Sequence, residues 1–187
     1  AVTEKIKLIT GVLILPQRNP VILAKHLATI DRLTNGRLEL GVGVGWLREE
    51  FNALNVPFEQ RGARTDEYIQ AMRKLWQEDG ATFKGKFIEF DRINCNPKPI
   101  GKKLPIIIGG HSARAVRRAA RFGDGFFPAT GMQTDVAAIL DLLQEEMHKI
   151  GRDPKDIEIM TGCPEALPSS GHDTLEAIKE KQKQGIQ

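Results

Sequence analysis

Two glycine-rich segments of the sequence could bind a ligand with backbone atoms alone. In the first, Gly41–Trp46, glycine alternates with valine at the end of an apolar stretch. Glycine inside a strand lets another backbone or a ligand approach closely. The spacing is not the dinucleotide-binding G-x-G-x-x-G pattern, because Trp46, Leu47 and Arg48 stand where the last glycine would fall. Ligand binding and tight packing against a neighbouring element are both open interpretations.

The second segment is Gly109–Ser112, which lies between a predicted buried strand at Leu104–Ile108 and a predicted helix that follows directly. The free N–H groups at a helix N-terminus, together with glycines and a hydroxyl, form an anion site. The segment therefore predicts a phosphate site, to which His111 could donate a hydrogen bond. In the alternative interpretation, the glycines only form the turn and Ser112 only caps the helix.

The elements around the first segment predict a strand, a helix and a second strand. An apolar run from Ile6 to Leu15 predicts a strand that is buried on both faces, as in a parallel sheet. Asn19 and Pro20 predict the start of the helix and Gly36 its end. The residues of its predicted buried stripe recur at helical spacing: Leu23, Leu27, Ile30 and Leu33.

The second strand of this unit is predicted to run from Leu38 to Val44. Parallel α/β folds bind ligands at the carboxyl ends of their strands. We therefore expect a ligand near Gly11–Val12 and near Val44–Trp46, with Trp46 as either a ligand wall or a cap.

Strands and helices continue to alternate along the rest of the chain. The pattern predicts a short helix after Gly45, then helices at Phe58–Gln77, Gln133–Ile150 and from about residue 174, strands at Asp124–Phe127 and Ile157–Met160, and a hairpin at Ala81–Phe90. This alternation is typical of an α/β protein, and an open doubly wound sheet competes with a (β/α)8 barrel.

Helical spacing also predicts which side chains of the later helices are buried. The inward residues of the second long helix are predicted to be Ala63, Ile69, Met72, Leu75 and Trp76. The arginines of this helix and of the helix after Ser112 are predicted to face solvent or a partner: Arg61, Arg64, Arg73, Arg114, Arg117, Arg118 and Arg121.

Composition narrows the functional classes. The 187 residues suggest one domain, 1–187, and their 41% hydrophobic and 27% charged residues are typical of a soluble globular protein. A net charge of +3 argues against nucleic acid as a partner, and no apolar run is long enough to span a membrane. Cys95 and Cys163 show neither metal-ligand nor disulfide spacing, so we expect no metal and a cytoplasmic location.

Three stretches together resemble the luciferase-like monooxygenase family, and within it the branch of deazaflavin (coenzyme F-420)-dependent oxidoreductases. The stretches are Thr10–Trp46, Arg61–Trp76 and Leu104–Pro128, and the resemblance extends over roughly Val2 to Gly151. The resemblance implies a (β/α)8 barrel of which this chain holds about the third to the seventh strand, without the first two strands and the last.

The resemblance also implies functional positions. Gly11 and Val12 match a non-proline cis peptide that backs the flavin ring. Two further groups match the lining of the cofactor pocket and a phosphate cradle: Val44, Gly45, Trp46 and Glu49 for the pocket, and Gly109, Gly110, His111 and Ser112 for the cradle. Met132 stands where members that oxidise sugar phosphates carry a lysine, which argues against such a substrate. No catalytic residue is assigned.

These features lead to a hypothesis of hydride transfer between a cofactor, F-420 or FMN, and a small organic substrate. An FMN-dependent monooxygenase of the same family is the alternative. A non-catalytic family member and an α/β enzyme that binds a phosphorylated ligand without a flavin also remain open. The resemblance implies a homodimer.

Overall fold

A computed structural model of the chain describes residues 3–128, 135–161 and 174–183. The chain divides into two compact units, Ala1–Ile106 and Ile107–Gln187, which are described separately below. None of the helices in the described ranges combines the length and the apolar character that a membrane crossing requires.

The first unit contains three helices packed with short parallel strands and one hairpin. Its elements are β1 (Leu8–Ile9), β2 (Leu13–Ile14), α1 (Pro20–Leu33), β3 (Leu38–Gly43), α2 (Arg48–Ala53), α3 (Arg61–Gln77), β4 (Ala81–Lys84) and β5 (Glu89–Ile93). All six residues of β3 are buried, which confirms the second predicted strand. The predicted short helix is present as α2.

The single strand predicted for the first apolar run is wrong, because the run forms two short strands. Both pair in parallel with β3, Ile9 opposite Glu39 and Leu13 opposite Val42. Four residue steps separate Ile9 from Leu13, whereas three separate their partners. The extra residue forms a bulge at 10–12 and ends β1.

Burial of this run on both faces is also wrong. Ile6, Ile9 and Val12 are 61%, 45% and 42% exposed. Within the described residues, β1 has a neighbouring strand on one side only, β3, so its other side is open.

The predicted start of α1 is confirmed. Asn19 Oδ1 accepts hydrogen bonds from the backbone N–H groups of Val21 and Ile22 at 3.0 and 3.2 Å, and Pro20 is the first helical residue. Two local signals in the sequence were therefore sufficient to locate this helix end.

The predicted buried stripe of α1 is correct at Leu27 but wrong at Ile30 and Leu33, which are 42% and 79% exposed. The buried face instead includes Ala24 and Asp31. At these positions, Trp76 Nε1 donates to the Ala24 carbonyl at 3.0 Å, and Asp31 accepts from the backbone N–H of residue 100 at 2.8 Å. Leu27 and these small or hydrogen-bonded residues thus face the interior, whereas Ile30 and Leu33 do not.

The helix α3 begins three residues after its predicted start, because Gln60 has a left-handed conformation with φ of 60°. Four of the five predicted inward residues are fully buried: Ile69, Met72, Leu75 and Trp76. Ala63 is exposed, contrary to the prediction. Arg64 is also wrong, because it is buried and donates to the Pro57 carbonyl at 2.7 Å.

The predicted hairpin is present as the antiparallel pair β4 and β5. One carboxylate on α3 holds its turn, since Glu67 accepts hydrogen bonds from the N–H groups of residues 86, 87 and 88 at 2.9, 2.7 and 2.8 Å. A Cβ on Gly85 would lie 2.2 Å from a Glu67 carboxylate oxygen, so a larger residue there would displace this carboxylate from the turn. The hairpin is therefore fastened to α3 by a side chain rather than by backbone pairing.

The second unit alternates parallel strands with helices. Its elements are β6 (Ile106–Gly109, which starts at the unit boundary), α4 (Ala113–Phe122), β7 (Gly125–Phe127), α5 (Val136–Lys149), β8 (Glu158–Ile159) and α6 (Thr174–Lys183). The pairs β6–β7 and β7–β8 are parallel, which confirms the predicted α/β alternation. Residues 129–134 and 162–173 lie outside the described residues, so the prediction made on Met132 is not tested.

One of the four arginines predicted to be solvated on α4 is not. Arg118 is buried at 8% exposure, on the same side of the helix as Ala115 and Ala119. An arginine can bury its aliphatic stem along apolar surface, which helical spacing alone does not reveal. Its neighbour Arg117 is more exposed and pairs with Glu146 of α5 at 3.5 Å.

The Glu67→Gln substitution tests the fastening of the hairpin. A glutamine keeps one oxygen for two of the three N–H groups but points its own NH2 at the third. We expect a loss of about 1–3 kcal/mol in the free energy of unfolding in urea, and faster amide hydrogen exchange at residues 86–88. The control is Glu89→Gln, an exposed carboxylate on the same hairpin. Equal stability and exchange in the two variants would contradict the role of Glu67.

Candidate functional site

Two glycines of the first segment are explained by the close approach of residues 10–12, through backbone at Gly41 and through a side chain at Gly43. A Cβ on Gly41 would lie 1.8 Å from the Thr10 carbonyl oxygen, and a Cβ on Gly43 would lie 2.7 Å from Val12 Cγ2. Thr10 Oγ1 donates to the Gly41 carbonyl at 2.8 Å. For these two positions the packing interpretation is correct, with a neighbouring strand segment as the close element.

The bulge that approaches them has an open outer side. The Gly11–Val12 peptide bond is cis, as the resemblance implied. Both residues are exposed, and a Cβ on Gly11 would meet no atom within 4 Å. The inner side of the bulge thus contacts β3, whereas the outer side presents backbone that a flat ligand can reach.

The segment after β3 lies beside β2. Gly45 has φ of +75°, and a Cβ there would lie 2.8 Å from both Ile14 Cγ2 and Phe51 Cε2. Val44 and Gly45 are half-buried, and Trp46 is 81% exposed. The structure therefore places Val44–Gly45 beside β2, the strand that follows the bulge. The Trp46 ring is exposed to solvent.

Glu49 lies one residue into α2 and is exposed. Its carboxylate belongs to the first turn of a helix of six residues, and it is available to accept a hydrogen bond. The structure gives Trp46 and Glu49 accessible side chains, as a pocket lining requires.

Arg61 is a component of this region that the sequence interpretation missed. Its Nε donates to the Gly45 carbonyl at 2.9 Å, and its guanidinium lies 3.8 Å from the centre of the Phe58 ring. Gly45 and Arg61 are 16 positions apart, and no periodic pattern joins them. The contact depends on tertiary structure, so the residues alone predicted only a solvated arginine.

A second arginine covers the same aromatic ring. The Arg48 guanidinium lies 4.3 Å from the Phe58 ring centre and donates to Glu59 Oε1 at 2.7 Å. This hydrogen bond lowers the pKa of Glu59 below its ordinary value. Glu59 is thereby held as a carboxylate, and it balances part of the positive charge around Phe58.

The second segment forms a tight turn before α4. Gly110 has φ of +142°, its N–H donates to the Phe127 carbonyl at 3.1 Å, and a Cβ there would lie 2.8 Å from Ala115 Cβ. Ser112 is the N-cap, with its Oγ accepting from the Ala115 N–H at 3.3 Å. The structural roles given by the alternative interpretation, turn and cap, are therefore both present.

These roles are compatible with an anion site at the same place. Gly109 pairs with β7, and His111 and Ser112 are exposed. The first N–H groups of any α-helix have no acceptor within the helix, and the helix dipole favours a negative charge beside them. The segment thus has the donors for a phosphate. The need for glycine at position 110 is explained separately by its packing against Ala115.

Of the two cysteines, only Cys95 lies among the described residues. Cys95 is buried, and burial raises the pKa of its thiol. Cys163 lies outside the described residues. No group of three or more histidine, cysteine, aspartate or glutamate residues gathers as metal ligands in the parts of the chain that the structure describes.

Comparison with known proteins gives consistent matches in sequence and in structure. The family model described as luciferase-like monooxygenase matches residues 1–184. The chain is 41% identical, over 131 residues, to the FMNH2-dependent dimethylsulfone monooxygenase of Pseudomonas fluorescens (strain Pf0-1). The matched region covers 68% of this chain and 35% of that protein.

Two solved structures resemble the chain closely in fold. The monooxygenase RslO1 from Streptomyces bottropensis has a TM-score of 0.75 and 26% identity, and covers 97% of this chain and 59% of that one. An F-420-dependent secondary alcohol dehydrogenase, solved with an F-420–acetone adduct, has a TM-score of 0.73 and 25% identity, and covers 86% of this chain and 50% of that one.

These matches fix the fold class and the family, whereas the chain spans only about a third to three fifths of the length of these relatives. The predicted fold, a luciferase-like (β/α)8 barrel present in part, is confirmed. Since the family model matches nearly the whole chain, the chain belongs to the luciferase-like monooxygenase family.

Proposed function

We propose that the protein is an oxidoreductase that uses a flavin-type cofactor, reduced FMN or F-420, to act on a small organic substrate. The observation that carries this proposal is the Gly11–Val12 bulge, whose inner side is fixed against β3 and whose outer side is open. Family membership and the identity to an FMNH2-dependent enzyme support it. When bound, such a cofactor supplies the hydride or activates oxygen, and the protein positions it.

The proposed ring contact lies in the first unit. The backbone at Gly11–Val12 would lie against one face of the ring, where the absence of a Cβ at Gly11 leaves space for it. Val44 and Gly45 would contact its edge, and the exposed Trp46 ring would contribute an apolar wall. Glu49 would accept a hydrogen bond from the ligand.

The proposed phosphate contact lies in the second unit. FMN and F-420 both carry a phosphate group, and Gly109–Ser112 offers N–H donors, a hydroxyl and the positive end of the α4 dipole. His111 is exposed and could donate to the same anion. This contact would hold either cofactor and does not select between them.

Among the relatives named above, the one with the higher sequence identity uses reduced FMN, which supports FMN as the cofactor. The FMNH2-dependent relative is 41% identical to the chain, against 25% for the F-420-dependent structure. With reduced FMN, the expected activity is monooxygenation of a small substrate. With F-420, it is hydride transfer without oxygen.

A titration of the purified protein with FMN under reducing and oxidising conditions, and separately with F-420, tests the proposal. We expect saturable changes in cofactor fluorescence or absorbance with one of them. Tight binding of reduced FMN alone supports a monooxygenase, and tight binding of F-420 alone supports a hydride-transfer enzyme. Binding of neither would contradict the proposal and leave the non-catalytic and phospholigand-binding alternatives.

The Ser112→Asp substitution tests the phosphate contact without removing the helix cap. Aspartate caps helices as well as serine does, but its negative charge would lie beside the phosphate. We expect the dissociation constant of the cofactor to rise by at least about tenfold, while α4 and the thermal stability are retained.

The matched control for this variant is Asn19→Asp, which makes the same change of charge at the N-cap of α1. It is expected to leave cofactor affinity unchanged. A Ser112→Asp variant that binds the cofactor as tightly as the Asn19→Asp variant would refute the phosphate assignment.

The proposed association state rests on the resemblance alone, and the proposed location rests on the cysteine content. We propose a homodimer and a cytoplasmic location. Light scattering over a range of protein concentrations tests the dimer, and a monomer at every concentration would contradict it.

A further inference from the structure

Gly45, which follows the end of β3, has neighbouring residues packed where its side chain would be. Gly45 has φ of +75°, which disfavours any other residue. Ile14 and Phe51 close the space where a side chain would begin, each with an atom 2.8 Å from an ideal Cβ. These apolar groups exclude any side chain at this position, but they do not fix the direction of the Gly45 carbonyl group.

Arg61 supplies that second restraint. Its Nε donates to the Gly45 carbonyl at 2.9 Å, and its Nη1 lies 3.5 Å from the Phe58 carbonyl oxygen. A hydrogen bond from a charged donor is stronger than one between neutral groups. Arg61 is half-buried, so solvent competes only partly for its donors.

The Arg61 guanidinium is in turn held in place by an aromatic pair. It stacks on Phe58, and Phe58 meets Phe51 edge to face at a ring distance of 5.2 Å. Phe51 is fully buried, and its ring closes the space where a side chain on Gly45 would begin. The contacts therefore form a closed circuit from Gly45 through Arg61, Phe58 and Phe51 back to Gly45.

We propose that Arg61 is a positioning residue, which holds the Gly45 carbonyl and thereby sets the direction in which the chain carries Trp46 out of β3. The inference rests on the proposed function, in which Gly45 and Trp46 contact the cofactor ring. Arg61 itself acts through Gly45 and needs no contact with the ligand.

The chemistry of this position favours arginine over lysine. A planar guanidinium can donate from Nε while its face lies on an aromatic ring, whereas an ammonium is a compact point charge without a flat face. Lysine could keep the charge and one hydrogen bond, but the circuit through Phe58 would be weakened.

Arg48 offers a matched control on the same ring. Its guanidinium lies 4.3 Å from the Phe58 centre, but its hydrogen bond goes to Glu59 and not to Gly45. Arg61→Met and Arg48→Met both remove one charge and one cation–π contact. They differ in whether the Gly45 carbonyl loses its donor.

The experiment compares the two variants by time-resolved fluorescence anisotropy of Trp46 and by cofactor titration. Trp76, the other tryptophan, is 1% exposed, and a Trp46→Phe variant gives its separate contribution. We expect Arg61→Met to speed the local motion of Trp46 and to weaken cofactor binding about tenfold, the loss of one charge-assisted hydrogen bond. Arg48→Met should change neither by more than about twofold.

Two results would overturn the inference: Trp46 motion and affinity unchanged in Arg61→Met, or equal changes in both variants. Should Arg61→Met fail to fold, Arg61→Lys replaces it, with changes expected in the same direction and smaller in size. If the unmodified protein binds neither FMN nor F-420, the proposed function fails together with the ligand part of this inference. The anisotropy comparison still decides whether Arg61 holds the segment.

Discussion

The first unit depends on how closely the segment before β2 approaches β3. Four residue steps from Ile9 to Leu13 lie opposite three steps of β3, so the chain bulges at residues 10–12. The bulge fits against β3 because Gly41 and Gly43 lack side chains. The same constraint turns Gly11 outward and sets Ile14 beside Gly45. The candidate ring contact therefore results from the strand register. It consists of backbone at the bulge, which is not paired with β3.

Charged residues on one helix hold the loops around this region. Arg61, Arg64 and Glu67 follow one another at intervals of three along α3, which keeps them on neighbouring parts of one helical surface. They reach the Gly45 carbonyl, the Pro57 carbonyl and the N–H groups of residues 86–88 in turn. Loops that lack regular pairing thus obtain hydrogen-bond partners from a rigid element. Flexibility in these loops would be transmitted to any ligand that they contact.

Local signals in the sequence were sufficient for the elements and for their caps at Asn19 and Ser112, because each signal acts within three residues of its effect. They did not reveal the bulge, since an apolar run looks the same whether or not its register slips. They also assigned Ile30 and Leu33 to the interior and Arg64 to solvent. Those errors share one cause: whether a side chain is buried depends on the partner at that point of the surface, and partners such as Pro57 come from other parts of the chain.

The central claim is that the open bulge receives the ring of a flavin-type cofactor. A crystal structure of the protein with bound FMN, or with F-420 if that is the cofactor taken up, tests it directly. The account predicts one face of the ring in van der Waals contact, within about 4 Å, with the backbone of Gly11–Val12. A ring bound away from the bulge, with Gly11 still exposed to solvent, would contradict it.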